Sequence, residues 1–280
     1  MGDLRIMVRV VGLVRAGICI FLLPLLAGAP AQGATVSLTP SADTFVSSAQ
    51  PDGNFGAAGA LEISASGLPK GEFQSVIRFN TAAAKSTFDA TFGAGNWNLQ
   101  SASLALTAAS PNNVIFNANA AGTFNVSWLL NDSWLEGTGA PGAATADGIT
   151  FNTLSTFLSP ADRPLAALSY SGASAGTTTY GLTLDSAFAN DVSGGNDVSL
   201  RLFSADAAMS YVMNSRNFGN PAARPTLILN AIAIPEPALA WTIWIFLPLI
   251  GKYRRSRRGA AARTMLSCCT SGMPPGRSNR

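Results

Sequence analysis

The stretch TFNVSWLLN, residues Thr123 to Asn131, decides the fold class. Phe124, Val126, Trp128 and Leu130 alternate with Asn125, Ser127 and Asn131. A period of two puts the first set on one side of a strand and the second on the other, because successive Cβ atoms point to opposite faces. The same alternation runs outward along the chain. LEISAS places Leu61, Ile63 and Ala65 together, SASLALTA places Ala102, Leu104 and Leu106 together, and VSLRLFSA does so for Val198, Leu200 and Leu202. Clusters of Gly, Pro, Asn and Asp separate these runs, as strand-ending turns require. The pattern predicts an all-β protein, a jelly-roll-like antiparallel β-sandwich of about 200 residues, because strands with one apolar face bury it as two packed sheets. Trp128, Leu104, Leu106 and Ile77 belong in its core, and helix is expected only at the two ends of the chain.

Those ends differ from the middle. Residues 35–234 hold 7 Lys and Arg against 13 Asp and Glu, although the whole chain has 18 against 15 and a pI near 9.0. The basic character therefore comes from the termini. An acidic middle of this kind offers no basic stripe, so nucleic acid is excluded as a partner. At the N-terminus Arg5, Arg9 and Arg15 precede the apolar run Ala16–Ala27, which leads into small residues at GAPAQGA. Residues 1–33 thus read as a secretory signal peptide engaging the Sec export machinery, with a run too short for an ordinary span. At the C-terminus the apolar residues from Ala238 to Gly251 make about 21 Å of helix. Lys252, Arg254, Arg255, Arg257 and Arg258 follow and hold that side in the cytoplasm by the positive-inside rule. Residues 34–233 are then an exterior domain, residues 234–258 a short membrane segment with its basic cluster, and residues 259–280 a disordered tail carrying Cys268 and Cys269.

The residue inventory limits the chemistry. The chain has no His, and its exterior region has no Cys, so triads built on His, zinc centres and disulfide frameworks are excluded there. Two carboxylates across a cleft suffice for a glycosidase, and Asp132 and Glu136 lie near Trp128 and Trp134 in sequence. A single Glu in a Gly-rich turn is more commonly solvated or backbone-capping, so the expectation is a non-catalytic domain. Exposed aromatic rings stack on sugar faces, and Trp97, Trp134 and Phe55, in turn-rich sequence, are the candidate stacking residues. Plugs closing the sandwich end are the competing role for all three. Oxygen ligands on turns suit calcium, and Asp43, Asp52, Asn54 and Asp197 are the candidate ligands, without EF-hand spacing to support them.

The order Pro235-Glu236-Pro237, short apolar segment, Arg cluster resembles the PEP-CTERM sorting signal. That resemblance implies recognition and processing by exosortase, a membrane-embedded cysteine transpeptidase, in a Gram-negative bacterium that makes extracellular polysaccharide. Within the exterior region, ADTFV (Ala42–Val46), PDGNFG (Pro51–Gly56), SVIRFN (Ser75–Asn80), WLEGTG (Trp134–Gly139), DGITFN, NSRNFG and RPTLIL (Arg224–Leu229) occur in that order. Together they resemble the DNRLRE type of secreted domain, a β-sandwich related to carbohydrate-binding modules. The resemblance implies either a structural or adhesive protein of the cell surface and extracellular matrix, or a module that recognises an extracellular polysaccharide. The implied partners are the exosortase, the Sec machinery, the membrane before processing, and that polysaccharide.

Overall fold

The computed structural model describes residues 33–235. Of the expected signal peptide, residues 1–33, only Gly33 is described; Glu236, Pro237, the apolar segment, the cluster Lys252, Arg254, Arg255, Arg257 and Arg258, and the tail with Cys268 and Cys269 lie outside the described residues. The strands are β1 (Gly33–Leu38), β2 (Ala42–Ser47), β3 (Ala60–Ser64), β4 (Phe73–Asn80), β5 (Trp97–Thr107) and β6 (Gly122–Leu129). They continue as β7 (Arg163–Tyr170), β8 (Thr177–Leu182), β9 (Asp197–Ser204), β10 (Ser210–Asn214) and β11 (Thr226–Ala233).

Two antiparallel sheets face each other. The smaller has the order β1-β11-β5-β8, and the larger runs β10-β3-β4-β9-β6-β7 with β2 paired along β4. The alternation read in the sequence supplies the facing layers. Ile77, Phe124, Trp128, Leu200 and Leu202 of the large sheet share one continuous core with Leu104, Leu106, Leu227 and Leu229 of the small one. Each such side chain, removed from water, contributes about 1.5–3 kcal/mol. Trp128, Leu104, Leu106 and Ile77 are all buried, as their positions in the alternation predict.

The large sheet is buried on its second face as well. Val46, Val76 and Leu129 point away from the main core and meet Trp134, Ile149 and Leu154 in a separate apolar cluster. The cover comes from the segment after β6, which folds back over β2 and β4. Ser127, placed on the solvent side by the alternation, is therefore buried, and its hydroxyl donates to the Asp162 carboxylate. A bulge between Val126 and Ser127, seen in the pairing with β7, accompanies this change.

Helix is not confined to the chain ends. Three helices lie inside the domain: α1 (Ala82–Phe92), α2 (Phe151–Phe157) and α3 (Ser186–Gly194). Each buries only one or two side chains, Ala84 with Phe88 in α1, Leu154 in α2, Phe188 with Val192 in α3. One i, i+4 pair is enough to dock a short helix but too little to register as a periodic run. Local caps define the last two. The Thr150 and Thr153 side chains form a reciprocal capping box, and Asp185 accepts from the backbone N–H groups of Ala187 and Phe188. Gly195 ends α3 at φ 76°, a left-handed conformation that favours glycine. Helices α1 and α3 pack together over β5, and Trp97 and Trp128 lie beneath them against Phe88 and Phe188.

Candidate functional site

Five of the sequence words converge on one buried polar knot. Asn54, from PDGNFG, donates through Nδ2 to the carbonyls of Glu136 at 2.7 Å and Ile149 at 2.9 Å, and its Oδ1 accepts from Gly56 N–H at 3.0 Å. One amide thereby ties PDGNFG to WLEGTG and DGITFN. The glycines at the crossing are obligatory for space: a Cβ on Gly56 would lie 2.1 Å from the Glu136 carbonyl oxygen, and one on Gly139 1.8 Å from that of Asn54. NSRNFG enters through Arg216, whose Nε and Nη2 donate to the two Glu136 carboxylate oxygens at 2.6 and 2.7 Å. ADTFV completes the knot, since Arg216 N–H donates to Asp43 Oδ2 at 2.6 Å and Asp43 N–H donates to Glu136 Oε1 at 3.2 Å.

Burial dominates the electrostatics of Asp43. It is fully enclosed, its Oδ1 has no partner, and loss of solvation pushes its carboxyl up to about 7, against the opposing N–H of Arg216. Glu136 has a bidentate partner in the Arg216 guanidinium, the strongest geometry for such a pair. The arrangement crosslinks β2, through Asp43, to the loops that carry Asn54, Glu136 and Arg216.

This knot fixes the wall of an open cleft. The Ser215 hydroxyl donates to the Ala58 carbonyl at 2.6 Å, Asn217 Nδ2 to that of Gly56 at 2.8 Å, and Arg224 Nε to that of Phe218 at 2.9 Å. The loop after β10 is thus held from both sides. Phe218, 37% exposed, stands on the rim of a cavity of about 480 Å³ whose other principal groups are Ser110, Asn112, Asn113, Phe116 and Asn214. Gly59, Ala60 and Pro141 also line the cleft. Phe116 is buried and leans on the core, with ring centroids 5.4 Å from Phe45 and 6.4 Å from Phe73. No charged side chain lines the cleft. Its chemistry is that of amide and hydroxyl donors and acceptors beside one exposed aromatic ring.

The rings singled out from sequence are elsewhere, and the structure corrects that reading. Trp134 is fully buried, donates Nε1–H to Ser199 Oγ at 2.8 Å, and has the Arg78 guanidinium 4.9 Å from its ring centre. Trp97 is 6% exposed and donates to Asp89 Oδ1 at 2.8 Å. Phe55 stacks on Phe45 at 4.5 Å inside the core. All three rings are buried: Phe55 and Trp97 belong to the main core and Trp134 to the second apolar cluster. The oxygen ligands proposed for calcium are likewise not assembled. Asp43 and Asn54 are occupied in the knot, Asp52 Oδ1 accepts from Asn152 Nδ2, and Asp197 Oδ1 accepts from Asn80 Nδ2 on the far end of β4. Among the described residues no group of three or more His, Cys, Asp or Glu is placed to hold a metal ion. Asp132, the partner imagined for Glu136, is instead set beside Arg78, which donates to its carbonyl at 2.8 Å.

Sequence reasoning missed the cleft. NSRNFG stands out as a word, but only the fold brings its Phe218 to the same cavity as Asn112 and Asn113. No family model matches the chain, and no curated protein matches it. The site is therefore read from its geometry.

Proposed function

We propose that the chain is a non-catalytic exported protein of the cell surface or extracellular matrix, sorted by an exosortase-type system in a Gram-negative bacterium. The observation that carries the non-catalytic reading is the cleft itself, which is lined by no acid, base or nucleophile of catalytic strength. The carboxylates of the knot are spent on architecture, Glu136 on Arg216 and Asp43 on the Arg216 N–H. Support for export and sorting comes from the sequence: the basic and apolar N-terminal segment, then Pro235-Glu236-Pro237 two residues beyond the end of β11, then the apolar segment and the Arg cluster. Two antiparallel sheets with this order of words fit a jelly-roll-like domain of the DNRLRE type, inserted between signal peptide and sorting signal.

The sorting reading is tested by mass. In an exosortase-bearing host the wild-type protein should lose residues after the Pro-Glu-Pro triplet, while the variant with Pro235, Glu236 and Pro237 replaced by Ala should keep them. A wild-type protein that retains residues 238–280 at steady state would leave an ordinary single-span anchor. The non-catalytic reading fails if any polysaccharide is turned over and Glu136→Gln abolishes the turnover.

A second reading, a carbohydrate-binding module, is favoured by one specific feature. The cleft sets an exposed ring, Phe218, beside the side chains of Asn112, Asn113 and Ser110, which is how a sugar's apolar face and hydroxyls are met together.

A further inference from the structure

We propose that this cleft is a subsite for a neutral sugar, with Phe218 as the stacking platform and Asn112, Asn113 and Ser110 as the hydroxyl-recognising groups. The inference rests on the carbohydrate-binding reading and specifies its ligand class. A cavity of about 480 Å³ falls inside the range of about 300–1,000 Å³ typical of small-ligand sites. Its lining is suited to hydroxyl groups, because an amide side chain offers a donor and an acceptor to neighbouring hydroxyls at once. Asn112 is exposed, Asn113 is exposed with its Oδ1 accepting from Ile115 N–H at 3.2 Å so that its Nδ2 is the group it offers, and Asn214 Nδ2 is engaged with the Ala223 carbonyl at 3.1 Å and forms part of the wall.

Charge decides between a neutral and an acidic glycan. A uronate or sulfated polymer is recognised through cations, above all by bidentate arginine. The arginines closest along the chain to Phe218 are turned to other tasks: Arg216 is bidentate on Glu136, and Arg224 donates through Nε to the Phe218 carbonyl. Beyond the cleft, the described domain holds 7 Lys and Arg against 13 Asp and Glu, so its field repels a polyanion. A neutral hexose or N-acetylhexosamine chain meets neither obstacle.

Phe218 and Asn112 are exposed and outside the knot, so their replacement leaves the fold intact. The full-length protein, immobilised, would be titrated with cello-, manno- and chito-oligosaccharides and with a uronate oligosaccharide, at low and moderate salt. At least one neutral series should bind with little salt dependence. Phe218→Ala and Asn112→Ala should each weaken it about tenfold, and Phe218→Tyr should retain it. Neutral binding unchanged in both alanine variants would remove the cleft as the site. Preferential uronate binding would overturn the neutral class and leave the carbohydrate-binding reading standing. Absence of binding to every series would overturn that reading too.

Discussion

Glu62 shows how a single residue sets the response of this fold to pH. It sits on β3 with its side chain fully enclosed, where Oε1 accepts from Asn117 N–H at 2.9 Å and from Ser210 Oγ at 3.2 Å. Oε2 has no partner, and burial pushes the carboxyl up to about 8. Asp43, pushed up to about 7, shares the tendency, although it faces Arg216 and Arg224 as well as Glu136. A carboxyl whose folded pKa exceeds its unfolded value adds stability below the unfolded value and loses it as pH climbs to the folded one. Here that window runs from the ordinary carboxylate range to about 8. The melting temperature should therefore be higher at pH 5 than at pH 8, and Glu62→Gln should flatten that difference. A midpoint that rises with pH in the wild type would contradict the assignment. At Arg216 the sign is electrostatic rather than protonic. Arg216→Ala leaves Glu136 beside Asp43 without the guanidinium, and since the Arg216 side chain is 34% exposed, the loss should be about 2 kcal/mol, below that of a fully buried pair. Urea denaturation would measure it, with Glu136→Ala costing no more.

Among the elements, β6 was legible because its apolar residues obey the strand period over a long run, and Phe124, Val126 and Trp128 are buried as that period requires. What the period did not contain is the layer over its other face. Trp134 lies in a turn-rich segment, so locally it resembles a surface ring, yet its indole N–H finds Ser199 at a separation of 65 residues. Only the return of the chain across β4 and β9 creates that environment. The cleft was illegible for the same reason, since Asn112 and Phe218 lie on loops that neither hydrophobic period nor turn chemistry relates. The helices α1 and α3 left weaker but real traces, in Ala84 with Phe88, Phe188 with Val192, and the caps Asp185 and Gly195. Trp134→Ala tests the second layer. It opens a void between Val46, Val76, Leu129, Ile149 and Leu154, and strands the Ser199 hydroxyl, so it should destabilise by about 3–5 kcal/mol. Replacement of the exposed Leu135 by Ala should leave the denaturation midpoint within error. Equal effects would mean that the cluster does not bear on folding.

For the whole molecule, charge is distributed by segment, and under the export and sorting proposal that separates the processed form from the full chain. Residues 33–235 carry 7 of the 18 basic and 13 of the 15 acidic side chains, so 11 basic and 2 acidic groups lie in the two ends. A full chain with a pI near 9.0 becomes a net acidic protein once both ends are removed. Losing the N-terminal segment alone takes away only Arg5, Arg9, Arg15 and Asp3, and the basic cluster after the apolar segment still balances the domain. The isoelectric point would therefore report removal of either end. Under the sorting proposal, protein recovered from the medium or matrix should focus well below pH 7, and inner-membrane material at a distinctly higher pH. The Pro235, Glu236 and Pro237 to Ala variant should accumulate in the second form. Extracellular wild-type protein that focuses with the membrane fraction would show that the basic cluster travels with the domain, and sorting by removal of that cluster would have to be abandoned.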